Sequence, residues 1–226
     1  MPAGLLALLM TFLLLLLMPL LLADAMVSAL QQLGMTRSSG AVLVLVIFAG
    51  GLFNIPIRRK PRAEVLAYRP FDLYGIDRLA PRLVGERSQQ VIALNVGGCV
   101  IPLLIVVYQL MRLLGPGDAS VLPALLAACA LNTAACYLMA RPVAGLGILL
   151  PIFVPGCLAA LLALFLAPAH APGVAFCAGV LGPLVGADLL HLRDLGRRGA
   201  GLLSIGGAGT FDGIVISGFL AVMLSA

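Results

Sequence analysis

Long apolar runs recur along this chain of 226 residues, and short polar connections separate most of them. Hydrophobic residues make up 62% of the chain and charged residues only 10%, whereas soluble domains carry about 25% charged residues. A run of about 20 apolar residues can cross a bilayer as a helix. Strands of a membrane barrel would alternate apolar and polar residues, which these runs do not. The composition therefore predicts an all-α, polytopic membrane protein.

Seven apolar runs predict seven transmembrane helices in a single integral membrane domain that covers residues 1–226. The runs lie near residues 4–30, 40–57, 90–113, 119–140, 144–167, 172–192 and 201–225. The first run precedes Ala23-Asp24-Ala25 and in this respect resembles a secretory signal. It lacks a preceding basic region and is longer than the apolar part of a signal peptide. We therefore expect it to be retained as a helix.

The uneven distribution of basic residues predicts the orientation of the chain. Of the 14 Lys and Arg residues, twelve lie in the connections after the second, fourth and sixth runs, and the other two are Arg37 and Arg112. The positive-inside rule then gives a cytoplasmic N-terminus. Residues 58–89 hold eight of the twelve, so we expect a cytoplasmic basic loop, which either is a charged connector that fixes the topology or contacts anionic lipid headgroups. Basic residues beside membrane segments do not indicate a nucleic-acid partner.

Two aspartates lie inside the last two apolar runs, where a charge is costly and marks a candidate functional site. Asp188 is near the cytoplasmic end of the sixth run, in GPLVGADLLHL, and Asp212 is in the middle of the seventh, in SIGGAGTFDGIVISGF. The glycines around Asp212 are Gly206, Gly207, Gly209 and Gly213. They predict a broken helix with backbone close to the acid. The alternative is close small-residue packing in which each acid links two helices.

Further polar residues are candidates for the same site. His191 follows Asp188 by three residues, so on a regular helix the two share a face and suit a proton relay. An amide inside the membrane either binds a solute or holds two helices together. The candidate binding residues besides the two acids are His191, Asn54, Asn95, Thr210, Gly207 and Gly209. The five cysteines contain no CxxC pair, and we expect neither a metal nor a cofactor.

A weak internal repeat is also visible. LNVGGCV at 94–100 opens the third apolar run, and LSIGGAG at 203–209 opens the seventh. Three spans, a linker span and three further spans would then form a 3+1+3 parallel repeat, with a site expected between its halves.

Five motifs resemble those of an uncharacterised family of bacterial and archaeal polytopic membrane proteins, which is catalogued as a domain of unknown function. The motifs are NIPI at 54–57, ALNVGGCVIP at 93–102, ARPVAGLGI at 140–148, GADLLHL at 186–192 and IGGAGTFDGI at 205–214. The resemblance extends from about residue 40 to the C-terminus. It implies a multi-pass protein of a bacterial or archaeal cell membrane, and it implies no substrate or activity.

Three functions remain open at this point. Transport of a small polar solute or ion is favoured, with Asp212 as the protonatable or cation-binding group and with Asp188 and His191 as its relay. In the second alternative, Asp188 and Asp212 are the catalytic pair of an intramembrane aspartyl peptidase. In the third, the chain is a non-catalytic membrane assembly protein in which both acids only link helices.

The peptidase alternative rests on a similarity and meets a geometric difficulty. GAGTFDG is similar to the Gly-x-Gly-Asp signature of presenilin-type and prepilin peptidases, but Thr210 and Phe211 stand between its second glycine and Asp212. On regular helices that rise about 1.5 Å per residue, the two acids would lie about 8 to 10 Å apart in depth. Only a break in one of the helices would bring them together.

Overall fold

The computed structural model describes residues 2–61, 89–115, 121–143, 147–192, 202–207 and 209–226. These residues are mostly helical, as their composition predicts. The helices are α1 (Pro2–Gln32), α2 (Arg37–Gly50), α3 (Ile101–Leu113), α4 (Val121–Met139), α5 (Val154–Leu166), α6 (Ala171–Leu181) and α7 (Gly213–Leu224). A π-helical segment, Val96–Val100, leads into α3, and a second, Gly182–Leu189, continues α6. Short 3₁₀ turns form at Pro168–His170 and Gly209–Phe211.

Each of the seven predicted runs contains one helix, but the helices differ in length. Among the described residues, four helical stretches are long and apolar enough to cross a membrane: Leu6–Gln32, Val96–Leu113, Val121–Met139 and Pro168–Leu189. Three shorter apolar helices are Arg37–Gly50, Val154–Leu166 and Gly213–Leu224. The short helices α2, α5 and α7 lie in runs that are helical over only part of their predicted lengths, and the third run likewise becomes helical only at Val96.

The prediction of an all-α fold is wrong beside these short helices, where the chain forms strands. The strands are β1 (Asn54–Pro61), β2 (Gln89–Asn95), β3 (Arg141–Val143), β4 (Gly147–Leu149) and β5 (Leu202–Ile205). β1, β2 and β5 form a three-stranded sheet in that order, whereas β3 and β4 form a hairpin. β2 is antiparallel to β1, with Asn95 opposite Asn54, and parallel to β5, with Leu94 opposite Ile205.

Proline and glycine explain why the second and seventh runs leave the helical conformation. The second run is helical only to Gly50, not to residue 57, and Pro56 lies at an irregularity in the β1–β2 register, where its missing N–H is tolerated. In the seventh run, Gly206 and Gly209 have positive φ angles of 70° and 61°, a conformation that ends regular structure. The seventh helix therefore begins at Gly213 and not at residue 201, and the break that the glycines predict is present.

The fifth run starts late for a similar reason. Within this run, Gly147–Leu149 form β4, which pairs with β3, and α5 begins at Val154 and not at residue 144. Pro155 follows in the first turn, where the absence of a backbone N–H costs no helical hydrogen bond.

The core of the bundle surrounds α6. Helices α3, α4, α5 and α7 all contact it, and residues 173–180 are all buried. The second half of α1 packs against α2 and α7 through buried residues such as Met26 and Leu30, whereas most described residues in its first half are exposed. Residues 62–88, most of the predicted basic loop, lie outside the described residues, while Arg58 and Arg59 are exposed on β1.

The two strands of the predicted repeat are direct neighbours, since β2 and β5 run parallel and each precedes an apolar helix. Their pairing places Leu94 opposite Ile205, whereas the sequence alignment matches Leu94 with Leu203. The 3+1+3 repeat stays a prediction.

Candidate functional site

The polar residues of the second, third and seventh runs meet where the three-stranded sheet passes into the helices. Asn95, the last residue of β2, is fully buried. Its amide nitrogen donates to the carbonyl oxygen of Gly51 at 2.7 Å and to Oδ1 of Asn54 at 3.2 Å. Its Oδ1 accepts a hydrogen bond from the Gly98 N–H at 2.7 Å. The Ser204 hydroxyl of β5 also donates to Asn54 Oδ1, so one amide pair joins all three strands.

Glycines bring the backbones of three connections into contact just beyond this junction. A Cβ atom on Gly98 would collide with the carbonyl oxygen of Gly206, and one on Gly206 would lie 2.6 Å from the carbonyl carbon of Gly98. A Cβ on Gly209 would be 3.1 Å from the Cα of Gly51, and one on Gly50 would be 2.9 Å from the backbone nitrogen of Gly97. The close backbone approach predicted around Asp212 is thus made by glycine against glycine.

Asp212 lies at the start of a helix and not in the middle of one. Its backbone is extended, with φ −72° and ψ 147°, and its Oδ1 accepts a hydrogen bond from the Ile214 N–H at 3.0 Å. Asp212 is therefore the N-cap of α7. The positive end of the helix dipole stabilises a negative charge at this position, and the residue is only partly buried.

Asp188 approaches the same place from the π-helical segment Gly182–Leu189. Its carboxylate accepts a hydrogen bond from the backbone N–H of Gly206 and interacts electrostatically with the carboxylate of Asp212. The buried thiol of Cys99, in the other π-helical segment, interacts electrostatically with both acids. The regular helices on which the expected separation in depth depends are absent at both aspartates. The two acids of the sixth and seventh runs therefore lie within electrostatic range of each other.

The position of His191 differs from the one that the predicted proton relay with Asp188 requires. Its Nδ1 lies 3.2 Å from the carbonyl oxygen of Gly186 and 3.0 Å from that of Ala187. Because carbonyl oxygens only accept, Nδ1 carries the proton. The ring stacks on Tyr137 of α4, with 4.8 Å between ring centroids. The spacing that put His191 on the face of Asp188 assumed an α-helix, whereas the intervening residues are π-helical.

The remaining predicted residues line the turn between β5 and α7. Thr210 is buried within the 3₁₀ turn, Gly209 supplies a positive φ angle, and Gly207 is exposed. Sequence reasoning assigned no site role to Ser204 or Cys99. Ser204 could have been found from the aligned motifs, where it takes the position of Asn95, whereas Cys99 reads as an ordinary small packing residue. Among the described residues, no group of three His, Cys, Asp or Glu side chains is arranged to hold a metal ion.

Comparison with known proteins gives a family and no activity. No curated protein and no solved structure matches this chain. A family model described as protein of unknown function, DUF1614, matches residues 48–224. The matched range contains β1, the Asn95 junction and both aspartates, and it agrees with the resemblance that the five motifs indicate. The chain belongs to the DUF1614 family.

Proposed function

We propose that this chain is an integral membrane protein that hydrolyses peptide bonds within the bilayer, with Asp188 and Asp212 as its catalytic residues. The observation that carries the proposal is that these two carboxylates lie within electrostatic range of each other. They come from the sixth and seventh apolar runs, and neither run is α-helical at the position of its aspartate. The sequence alone favours transport, because regular helices would keep the acids apart.

The lengths of the apolar segments support a membrane location. Among the described residues, four helical stretches are long enough to cross unaided. The 12 residues of α7 span about 18 Å at about 1.5 Å per residue, so α7 alone is shorter than the ~30 Å hydrocarbon core.

The distribution of basic residues supports an orientation with a cytoplasmic N-terminus in a bacterial or archaeal cell membrane. In that orientation, the sheet and its exposed Arg58 and Arg59 lie on the cytoplasmic side. The acidic pair then lies toward the cytoplasmic ends of the helices, where water can reach it.

Two neighbouring carboxylates can share one proton, and this gives them complementary roles. The ionised acid takes a proton from water while the water oxygen bonds to the scissile carbonyl carbon. The protonated acid donates its proton to the amide nitrogen as the carbon–nitrogen bond breaks. The Gly206 N–H holds Asp188 and the Ile214 N–H holds Asp212, so the backbone orients both catalytic side chains before substrate binds.

Transport of a small polar solute or cation is the second candidate. The observation that favours it is the break before α7, which puts Asp212 at the N-terminus of a short helix. Discontinuous helices of this kind form the binding sites of many transporters. In this case Asp212 would bind the proton or cation, and no bond would be cleaved.

The test uses the full chain in liposomes with a pool of fluorogenic peptides that each contain one apolar, membrane-spanning segment. We expect Asp188→Asn and Asp212→Asn each to reduce cleavage by about 10²- to 10⁴-fold, the contribution of a general acid or base. Asp24→Asn is the matched control, because Asp24 is exposed, pairs with Arg37 and loses the same charge. Cleavage that persists in both site variants would contradict hydrolysis. Proton flux that requires Asp212, without cleavage, would favour transport.

A binding measurement complements the cleavage assay. A peptide with a hydroxyl group in place of the scissile carbonyl resembles the tetrahedral intermediate and is expected to bind the acid pair tightly. A photoreactive form of this peptide should label the wild-type chain and the Asp24→Asn control, and it should fail to label Asp188→Asn. Equal labelling of all three proteins would contradict the catalytic assignment.

A further inference from the structure

We infer that His191 and Tyr137 are positioning residues for the acidic pair, because they hold the segment Gly182–Leu189 in the π-helical register that brings Asp188 to Asp212. The inference rests on the proposed function for its biological meaning, since it explains how the two acids come to meet. Its structural content concerns only the register of one helical segment.

The register decides where the Asp188 side chain lies. In the π-helical segment the Leu190 N–H donates to the Val185 carbonyl at 3.0 Å, five residues back. An α-helix would make this bond four residues back, which removes one residue from the turn. One residue corresponds to a rotation of about 100° in a helix with 3.6 residues per turn. Relaxation to an α-helix would therefore carry Asp188 away from Asp212.

Helix α4 packs closely against the start and middle of the π-helical segment. At the start, the Asn132 amide donates to the Ala178 carbonyl at 2.8 Å, and a Cβ on Gly182 would lie 2.9 Å from Asn132 Cγ. In the middle, Gly186 is so close to α4 that a Cβ would collide with the Thr133 carbonyl oxygen. These contacts fix where the segment begins but leave its last turn to be held by other groups.

His191 holds that last turn. The π-helical register ends at residue 189, so carbonyl oxygens near this end lose their regular backbone donors. The Nδ1–H of His191 contacts two of them, on Gly186 and Ala187. The buried imidazole is itself fixed by stacking on Tyr137. Tyr137 of α4 and the capping imidazole of His191 thus act together on the turn that carries Asp188.

The experiment measures the proximity of positions 188 and 212 directly and does not depend on catalysis. The full chain is prepared in membranes with Asp188→Cys and Asp212→Cys, after all five native cysteines are replaced by alanine. A short reagent that joins two thiols is added, and the linked peptide is quantified over time by mass spectrometry. His191→Phe is then introduced, because phenylalanine retains the stacking on Tyr137 and removes the Nδ1 donor.

We expect His191→Phe to slow cross-linking by about threefold to tenfold, which corresponds to the loss of one hydrogen bond. His191→Asn supplies an amide donor and should restore most of the rate. His170→Phe is the matched control, because His170 lies in the 3₁₀ turn before α6 and should leave the rate unchanged. Thermal unfolding of each variant, measured alongside, identifies any general loss of folding.

The outcomes separate this inference from the proposed function. Cross-linking that is equally fast in the parent and in His191→Phe would overturn the positioning role of His191. A parent that does not cross-link at all would overturn both the pairing of the acids and the inference built on it. Cross-linking that depends on His191, in a protein that cleaves no peptide, would support the inference and contradict hydrolysis.

Discussion

Asn95 and Asp212 lie at the two points where a strand of the three-stranded sheet leads toward an apolar helix. Their backbones are nearly the same, with φ −77° and ψ 133° at Asn95 and φ −72° and ψ 147° at Asp212. Each side-chain oxygen accepts a hydrogen bond from an N–H in the first turn of the helix that follows, from Gly98 and from Ile214. Both side chains therefore satisfy a backbone N–H that would otherwise be unpaired at the start of a helix.

The two caps differ in what the rest of the side chain contacts. The amide nitrogen of Asn95 donates to Gly51 and Asn54, so this fully buried residue joins the end of β2 to the end of α2 and the start of β1. In its ionised form the carboxylate of Asp212 has no hydrogen to donate, and it interacts electrostatically with a second acid, Asp188. A shared position at the N-cap of a helix thus does not give a shared role. The Asn95 amide forms the hydrogen bonds of the junction, and the Asp212 carboxylate adds a negative charge beside it.

The largest expected effect comes from giving Asn95 the chemistry of Asp212. Asn95→Asp preserves the shape of the side chain and the bond from Gly98, but it replaces the N–H donor that faces two acceptors, on Gly51 and Asn54, with a third acceptor. An unpaired charge at a fully buried position should lower the free energy of unfolding by about 3 kcal/mol or more. Thermal or denaturant unfolding in detergent measures this loss.

The reciprocal exchange is the control for that prediction. Asp212→Asn keeps an N-cap of nearly equal strength, so the free energy of unfolding should change by no more than about 0.5 kcal/mol. If Asn95→Asp and Asp212→Asn change the free energy of unfolding by the same amount, the distinction between a structural amide at Asn95 and a functional charge at Asp212 is wrong.

A second contrast compares the glycines beside the two caps. Gly98 packs against Gly206 so closely that a Cβ would collide with its carbonyl oxygen, whereas a Cβ on Gly213 would meet nothing within 4 Å. Gly98→Ala should therefore destabilise the protein by about 2 kcal/mol through overpacking. Gly213→Ala should raise stability by about 0.5 kcal/mol, because alanine favours the helix. Equal unfolding midpoints for the two variants would contradict the close glycine packing.

The same junctions show what the sequence can and cannot reveal. Apolar runs locate the seven α-helices of the described residues, because burial of apolar groups depends on composition that is visible along the chain. The glycines around Asp212 likewise predict the break before α7. The sheet is not visible in this way, because its strands pair residues far apart, such as Asn54 with Asn95. A helix-forming and a strand-forming apolar run look alike when both are short.

The electrostatic interaction between the two acids could not be derived from spacing either. It depends on the π-helical register around Asp188 and on the turn that makes Asp212 a cap, and both are set by packing against other segments. His191 illustrates the same limit, since a regular helix puts it on the face of Asp188, whereas its imidazole contacts Gly186 and Ala187.

A smaller effect is expected when the cap itself is removed at Asp212. Asp212→Ala loses both the charge and the bond to the Ile214 N–H, while Asp212→Asn loses only the charge. The alanine variant should therefore unfold with about 1 kcal/mol less stability than the asparagine variant. Backbone amides in the first turn of α7 should also exchange with solvent faster in Asp212→Ala than in Asp212→Asn. If the two variants exchange at the same rate there, the side-chain cap contributes nothing to the helix start.

The smallest expected effect concerns Ser204, the residue of β5 that the aligned motifs match with Asn95. Its hydroxyl donates to Asn54, but Asn54 is exposed, so water can replace the hydroxyl in a Ser204→Ala variant. The free energy of unfolding should fall by only about 0.5 kcal/mol, and the distance between the acids should not change, which the thiol cross-linking rate would report. A loss as large as that in Asn95→Asp would mean that Ser204 is as important to the junction as Asn95. The contrast would then lie between the acid and the two residues that join the strands, and not between the two helix caps.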